Sequence, residues 1–357
     1  MRPAGVKGLL PPACAWIAGA ALLCCAAAAA GVNPLHAAAW GRYDSRLYEQ
    51  IARHGYEMHR CTPARWCGTT AWFPAYPLLL APFAALGIPL APVGLAISFA
   101  AALATLVLLR RWFLPHGAGP LACAAFAPGL VYLYAIFPLS LLTLAVVVFL
   151  RFAGRDDRVA GAAGFLAALA YPLGLALVPV VAVVDVLQRR RRGPWRRLLL
   201  LVGPAVAAGI GILVAQRLQT GRWSAYFDVA GSYGGLHDPV TTITDWVTVL
   251  WNSSNPIGYA QVPIWQFLFV TVLLAVLLVL AVRRRSRDDV LLLTWSVGVW
   301  FVPLIQTGQS LWRSEAALAA GVPLVRLLPR RVAWAVAAAL VVLAFGAAHE
   351  FFAGTLI

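Results

Sequence analysis

The sequence predicts an all-α protein, a polytopic integral membrane bundle of about eleven transmembrane helices. Three observations predict it. Of 357 residues, 62% are apolar and only 11% charged, a balance foreign to ordinary soluble domains. Apolar runs of about 20 residues recur, the length that crosses a hydrocarbon core as helix. Most of the 28 Lys and Arg residues gather at the ends of those runs, which separates this +15 chain from a nucleic-acid binder of similar charge. Backbone exposed to lipid must satisfy its own hydrogen bonds, so helices are expected to do the crossing. One domain is expected, 1–357, with polar loops at 31–76 and 216–261.

Arg2 and Lys7 precede an apolar run from about Leu9 to Ala30. It reads as a retained first helix, with a cleaved signal peptide as the alternative. The segment 77–87, PLLLAPFAALG, is too short to span and reads as a surface or re-entrant helix. Crossings follow at about 89–109, 119–134, 137–152, 159–171, 173–188, 197–215, 262–282, 289–305, 315–328 and 332–348. The positive-inside rule then places 20 of the 28 basic residues on the cytoplasmic side, the arginines at 189–192 among them. The N-terminus is thus expected in the cytoplasm, and both long loops outside.

The first loop concentrates the polar chemistry. Residues 40–80, WGRYDSRLYEQIARHGYEMHRCTPARWCGTTAWFPAYPLLL, hold three acids, five arginines, two histidines and two cysteines. The stretch DSRLYEQIARHGY predicts a short helix with Asp44 or Ser45 as N-cap and Gly55 as left-handed terminator. Leu47, Tyr48 and Ile51 fall on its buried face. Asp44 therefore has a structural reading, as a cap. Cys61 and Cys67 read as a disulfide in an oxidising compartment. A metal there would need further ligands, with His54 and His59 available, so a divalent ion stays open and no cofactor is assigned. No P-loop or GxGxxG follows a strand pattern, so a cytoplasmic nucleotide-sugar donor is not expected.

A first membrane helix leads to an aromatic-Asp-Ser step at Tyr43, Asp44 and Ser45. Tyr48, Ile51, Ala52, Gly55 and Tyr56 follow, and then Phe73, Pro74, Tyr76 and Pro77. In this order and spacing they resemble the PIG-V-like (GPI mannosyltransferase-like) family, of the GT-C class of membrane glycosyltransferases. The segment QTGQSLWRSEAALAAGVPLV resembles that family's late loop, in which an Arg precedes a helix with a later Pro. Three positions depart. Tyr43 replaces the usual Trp before the Asp. Phe137-Pro138-Leu139 stands where the family often carries a Tyr-Ser-Glu-like element. Tyr171-Pro172-Leu173-Gly174 stands where it often has Arg before Pro or Thr-Gly.

The resemblance implies a GT-C-like fold in the cell membrane. It implies transfer of a hexose, mannose by resemblance, from a polyprenyl-phosphate donor to an outside acceptor: glycolipid, glycan or protein. Asp44 would be the base for the acceptor hydroxyl. Arg313, with Arg42, would hold the donor phosphate, because a guanidinium fork bonds two oxygens at once. Arg313 also reads as a surface partner of Glu315 or a snorkelling anchor. Tyr43, Ser45, Tyr48 and Tyr76 are expected at the sugar or acceptor. In the second loop Trp223, Tyr226, Tyr233, Trp246 and Trp251 read either as sugar-stacking rings or as an interfacial belt. Asp228, His237 and Asp238 read as acceptor-orienting groups, with a simple turn as the alternative at His237-Asp238-Pro239. Asn252-Ser253-Ser254 fits a glycosylation sequon. Two other functions compete. A lipid or lipid-linked-sugar transporter calls for charges near the bilayer midplane. Asp185, the one acid well inside an apolar run, lies near a cytoplasmic end. A catalytically silent envelope scaffold is the third reading.

Overall fold

The computed structural model describes residues 8–115, 117–187, 194–234, 238–251, 261–284, 286–305 and 311–356. His237, the arginines at 189–192 and the sequon at Asn252 lie outside the described residues, as does the side chain of Asp185.

Helix α1 (Leu10–Ala29) is followed by a 3₁₀ turn (Ala37–Trp40), α2 (Ser45–His54), strands β1 (Met58–Thr62) and β2 (Arg65–Gly68), and α3 (Ala75–Ala85). Next come α4 (Leu90–Trp112), α5 (Ala118–Ala125), α6 (Leu130–Tyr134), α7 (Leu139–Phe152) and α8 (Asp157–Ala170). A 3₁₀ stretch (Pro172–Ala176) leads into α9 (Leu177–Leu187), α10 (Pro194–Thr220), α11 (Ala225–Gly231) and α12 (Pro239–Trp251). The remainder is α13 (Gln261–Arg284), α14 (Arg287–Ile305), α15 (Leu311–Ala316), a 3₁₀ run (Ala317–Leu327) and α16 (Arg330–Ala353).

The all-α membrane bundle is present, but its helices are less uniform than the sequence suggests. Among the described residues six helices are long and apolar enough to cross a membrane: α1, α4, α10 from Trp195, α13, α14 and α16. The other expected crossings are shorter or interrupted. Gly129, in the left-handed region at φ 64°, splits 119–134 into α5 and α6. The 315–328 segment is a buried 3₁₀ run. Helices α7 and α8 have 14 residues each, which at 1.5 Å per residue is about 21 Å, against roughly 30 Å of hydrocarbon. Short helices are tolerated where protein, and not lipid, receives their ends. Accordingly Leu139, Leu142, Val146 and Phe149 of α7 are fully buried.

Two further departures shape the loop end of the bundle. The first loop contains an antiparallel hairpin, β1 with β2, closed by a Cys61–Cys67 disulfide. Gly68 makes it possible: φ is 139°, and a Cβ there would lie 2.0 Å from the Glu57 carbonyl oxygen. The second loop begins later than residue 216, because α10 runs on to Thr220, and α11 and α12 fill much of the rest.

The start of the first loop is docked firmly. Trp40 is 1% exposed, donates Nε1–H to the Pro34 carbonyl at 2.8 Å, and packs edge-on against Phe99 and Phe352. The Ile136 amide donates to the Trp40 carbonyl at 3.3 Å. The residues before Asp44 are thereby seated among α4, α16 and the α6–α7 joint.

Candidate functional site

Asp44 occupies the N-cap position of α2, yet its side chain makes no cap bond. Its ψ is −3°, away from the extended conformation that turns a capping side chain toward the first amides. Oδ2 of Asp44 instead accepts from Nη1 of Arg313, on α15, in an ion pair. The two side chains are 19% and 21% exposed, so the pair is sheltered but reachable.

Aromatic groups line this pair. The Arg313 guanidinium lies 5.9 Å from the centre of the Phe137 ring. Phe137 in turn packs against Tyr132 at 4.9 Å and Tyr48 at 6.1 Å. Tyr132 is fully buried and interacts with Arg313, yet among the described residues its hydroxyl makes no hydrogen bond of good geometry. Tyr171 also interacts with both Arg313 and Asp44. Nε of Arg313 has no hydrogen-bond partner among the described residues. Thus Phe137 and Tyr171, at two of the three places where the sequence departs from the resembled family, both border the Asp44–Arg313 pair. Burial raises the Tyr48 phenol well above its ordinary pKa, and raises Tyr43 as well, opposed in Tyr43 by the Leu356 amide and nearby arginines. Both therefore stay neutral.

The turn that presents Asp44 is held by α16 and the residues after it. Tyr43 has φ 52°, a strained conformation for a bulky side chain. Its hydroxyl accepts from the Leu356 amide at 3.2 Å and its ring packs on Phe351 at 5.5 Å. Nη2 of Arg42 donates to the Phe352 carbonyl at 3.0 Å, so one end of its fork is spent on the backbone. Ser45 is buried and donates to the Arg42 carbonyl at 2.7 Å.

The other sequence-derived candidates lie in varied settings. Tyr48 is 1% exposed and packs edge-on against Tyr76 at 5.9 Å. The Tyr76 hydroxyl donates to the Gly94 carbonyl at 2.6 Å and sits 3.0 Å from Ser98 Oγ, which engages it in joining α3 to α4. Asp228 accepts from Ser224 Oγ at 2.8 Å. Asp238 is exposed and accepts from the Thr241 amide at 3.1 Å, at the start of α12. Trp246 is buried against Phe267, a core position that suits neither a sugar platform nor an interfacial belt. Glu315 is not a surface partner of Arg313: it is 1% exposed and accepts from Nε2 of Gln266 on α13, with Oε1 unpaired among the described residues. Among the described residues no three His, Cys, Asp or Glu side chains gather as metal ligands would.

Sequence reasoning missed Tyr132 and the roles of Phe137, Tyr171 and Glu315. Tyr132 lies within an apolar run that reads as plain membrane helix, and no local pattern marks it. Glu315 carried a signal, being an acid at the start of an expected span.

No protein-family model matches the chain, and no curated protein matches it. Among solved structures it is similar to ArnT from Cupriavidus metallidurans, a crystal structure with undecaprenyl phosphate bound. The TM-score is 0.50 at 16% identity, over 82% of this chain and 56% of that one, so this chain spans little more than half of ArnT's length. The likeness shows the fold, an all-α membrane bundle.

Proposed function

We propose that this chain is a membrane glycosyltransferase of the GT-C class. It moves a hexose, mannose by resemblance to the PIG-V-like family, from a polyprenyl-phosphate donor to an acceptor outside the cell. The observation that carries this reading is the Asp44–Arg313 contact. It joins the two segments of the sequence that each resemble that family, across 269 residues. A polyprenyl phosphate is also the class of lipid bound in the ArnT crystal structure.

In this mechanism the carboxylate of Asp44 takes the proton of the acceptor hydroxyl. The hydroxyl oxygen attacks the anomeric carbon from the face opposite the phosphate, and the bond from that carbon to the phosphate oxygen breaks with inversion. Arg313 meets the charge left on the lipid phosphate. As the structure stands, Asp44 is tied to that same arginine, which occupies one of its carboxylate oxygens. The donor phosphate is the natural competitor: as it takes the fork of Arg313, Asp44 is released for the acceptor. Tyr132 and Tyr171, neutral and beside the guanidinium, cannot replace the lost charge. The distribution of arginines supports an extracytoplasmic site and a cytoplasmic N-terminus.

The test uses purified protein in bilayers with polyprenyl-phosphate mannose and a panel of lipid acceptors. Wild type is expected to release polyprenyl phosphate. Asp44→Asn is expected to lose release while still binding donor. Equal release by both would remove Asp44 from the mechanism. No release by wild type across several donors and acceptors would overturn the transferase reading.

A further inference from the structure

Three arginines gather on the hairpin and the α10–α11 turn, outside the Asp44–Arg313 pair. The Cζ atoms of Arg60 and Arg222 lie 4.6 and 4.5 Å from the ring centre of Trp66. Cζ of Arg65 lies 5.6 Å from the ring centre of Tyr233. The Trp66 amide donates to Ser232 Oγ at 3.2 Å, which fastens the hairpin to α11. All three arginines are exposed, and none takes part in an ion pair among the described residues. The acids on these elements are engaged: Glu57 accepts from Gln50 at 2.7 Å, and Asp228 from Ser224.

Rings beneath a guanidinium hold it in place without cancelling its charge. Arg60 and Arg222, sharing one ring, lie within about one Debye length of each other and repel. Such an arrangement gains by taking up an anion. Its depth says which kind. The apolar span of α10 ends at Thr220, and Arg222 follows two residues later. Trp223 and Phe227 are 62% and 64% exposed, as aromatic side chains are at the boundary of headgroups and acyl chains. Tyr226 of α11 packs on Phe73 at 5.8 Å and interacts with Tyr171, which borders Arg313.

We propose that this hairpin–α11 face binds the phosphate of an anionic membrane-lipid headgroup, at a place separate from Arg313. The binding surface stands on its own observations. Joined to the transferase reading, on which this last step rests, it makes the acceptor a lipid with an anionic headgroup, held beside the reacting centre.

The experiment titrates the full-length detergent-purified protein with dioctanoyl phosphatidylglycerol or dioctanoyl phosphatidylcholine, read by native mass spectrometry, with inorganic phosphate as competitor. Wild type is expected to prefer phosphatidylglycerol by tenfold or more. The triple variant Arg60→Gln, Arg65→Gln, Arg222→Gln is expected to bind the two lipids alike. It should still bind undecaprenyl phosphate, which shows that it is folded. The corresponding triple Lys variant is expected to keep most of the preference. A Gln triple variant with wild-type preference, or a wild type with no preference, overturns the proposal. Displacement of the lipid by equimolar inorganic phosphate overturns its assignment to a lipid. A preference that follows the arginines in a protein that binds no undecaprenyl phosphate would uphold this surface and count against the transferase reading.

Discussion

Asp44 could cap α2 or pair with Arg313, and the difference lies in one preceding residue and in magnitude. Tyr43, at φ 52°, turns the chain so that Asp44 enters the helix with its carboxylate aimed away from the first amides. An N-cap contributes about 1 kcal/mol, whereas a hydrogen bond between charged partners in a sheltered site contributes roughly 1.5–3 kcal/mol. The pair wins, and the strain at Tyr43 is offset by the Leu356 bond and the Phe351 contact. If Arg313 also holds the donor phosphate, its fork matters as well as its charge. Arg313→Lys keeps the charge and loses the second prong, and is expected to weaken undecaprenyl phosphate binding by roughly tenfold, the equivalent of 1.4 kcal/mol. Unchanged binding in that variant would remove Arg313 from the phosphate.

At the scale of elements, two breaks in the helices position the site. The first is the α6–α7 joint, where the backbone of Ala135 is extended before Phe137 turns its ring under Arg313. The second is the junction of α8 and α9, where Tyr171-Pro172 ends one helix and Gly174 allows close approach. A Cβ at Gly174 would lie 2.1 Å from the Ala167 carbonyl oxygen, which is backbone and cannot swing aside. Gly174→Ala should therefore cost about 1–3 kcal/mol through overpacking and shift Tyr171 from Arg313. A lower melting temperature together with weaker donor binding is the expected result. A variant that melts like wild type would show that this close approach is dispensable.

For the molecule as a whole, the ends assigned by charge alone are also the ends that touch. Segments placed in the cytoplasm meet through Arg155–Asp288, Arg197–Asp157 and Arg326–Asp289. Segments placed outside meet through Asp44–Arg313, Arg42 on Phe352, and Gln216 on Thr70. These contacts gather the segments into two ends, and labelling tests which end faces the cytoplasm. Cys14, Cys24, Cys25 and Cys123, the free cysteines, would first be changed to Ala. In sealed cells a membrane-impermeant thiol reagent is expected to label Arg222→Cys and to leave Arg155→Cys untouched. The reverse pattern would invert the topology and move the reacting centre into the cytoplasm.

The sequence alone was enough for the all-α membrane class, the places of the six long helices, the amphipathic helix after Asp44 and the pairing of Cys61 with Cys67. Each of these depends on local properties: run length, charge at a run's end, helical period, or spacing of six residues. It also singled out Asp44 and Arg313, though each separately and with a bland reading beside it. Only the tertiary structure brought them together across 269 residues and surrounded them with Tyr132, Phe137 and Tyr171. It also decided which apolar runs are full-length helices. In a chain this rich in apolar residues, a run that faces lipid and one buried inside the bundle look alike. What distinguishes them is the set of neighbours that closes around each, and that set comes from distant parts of the chain.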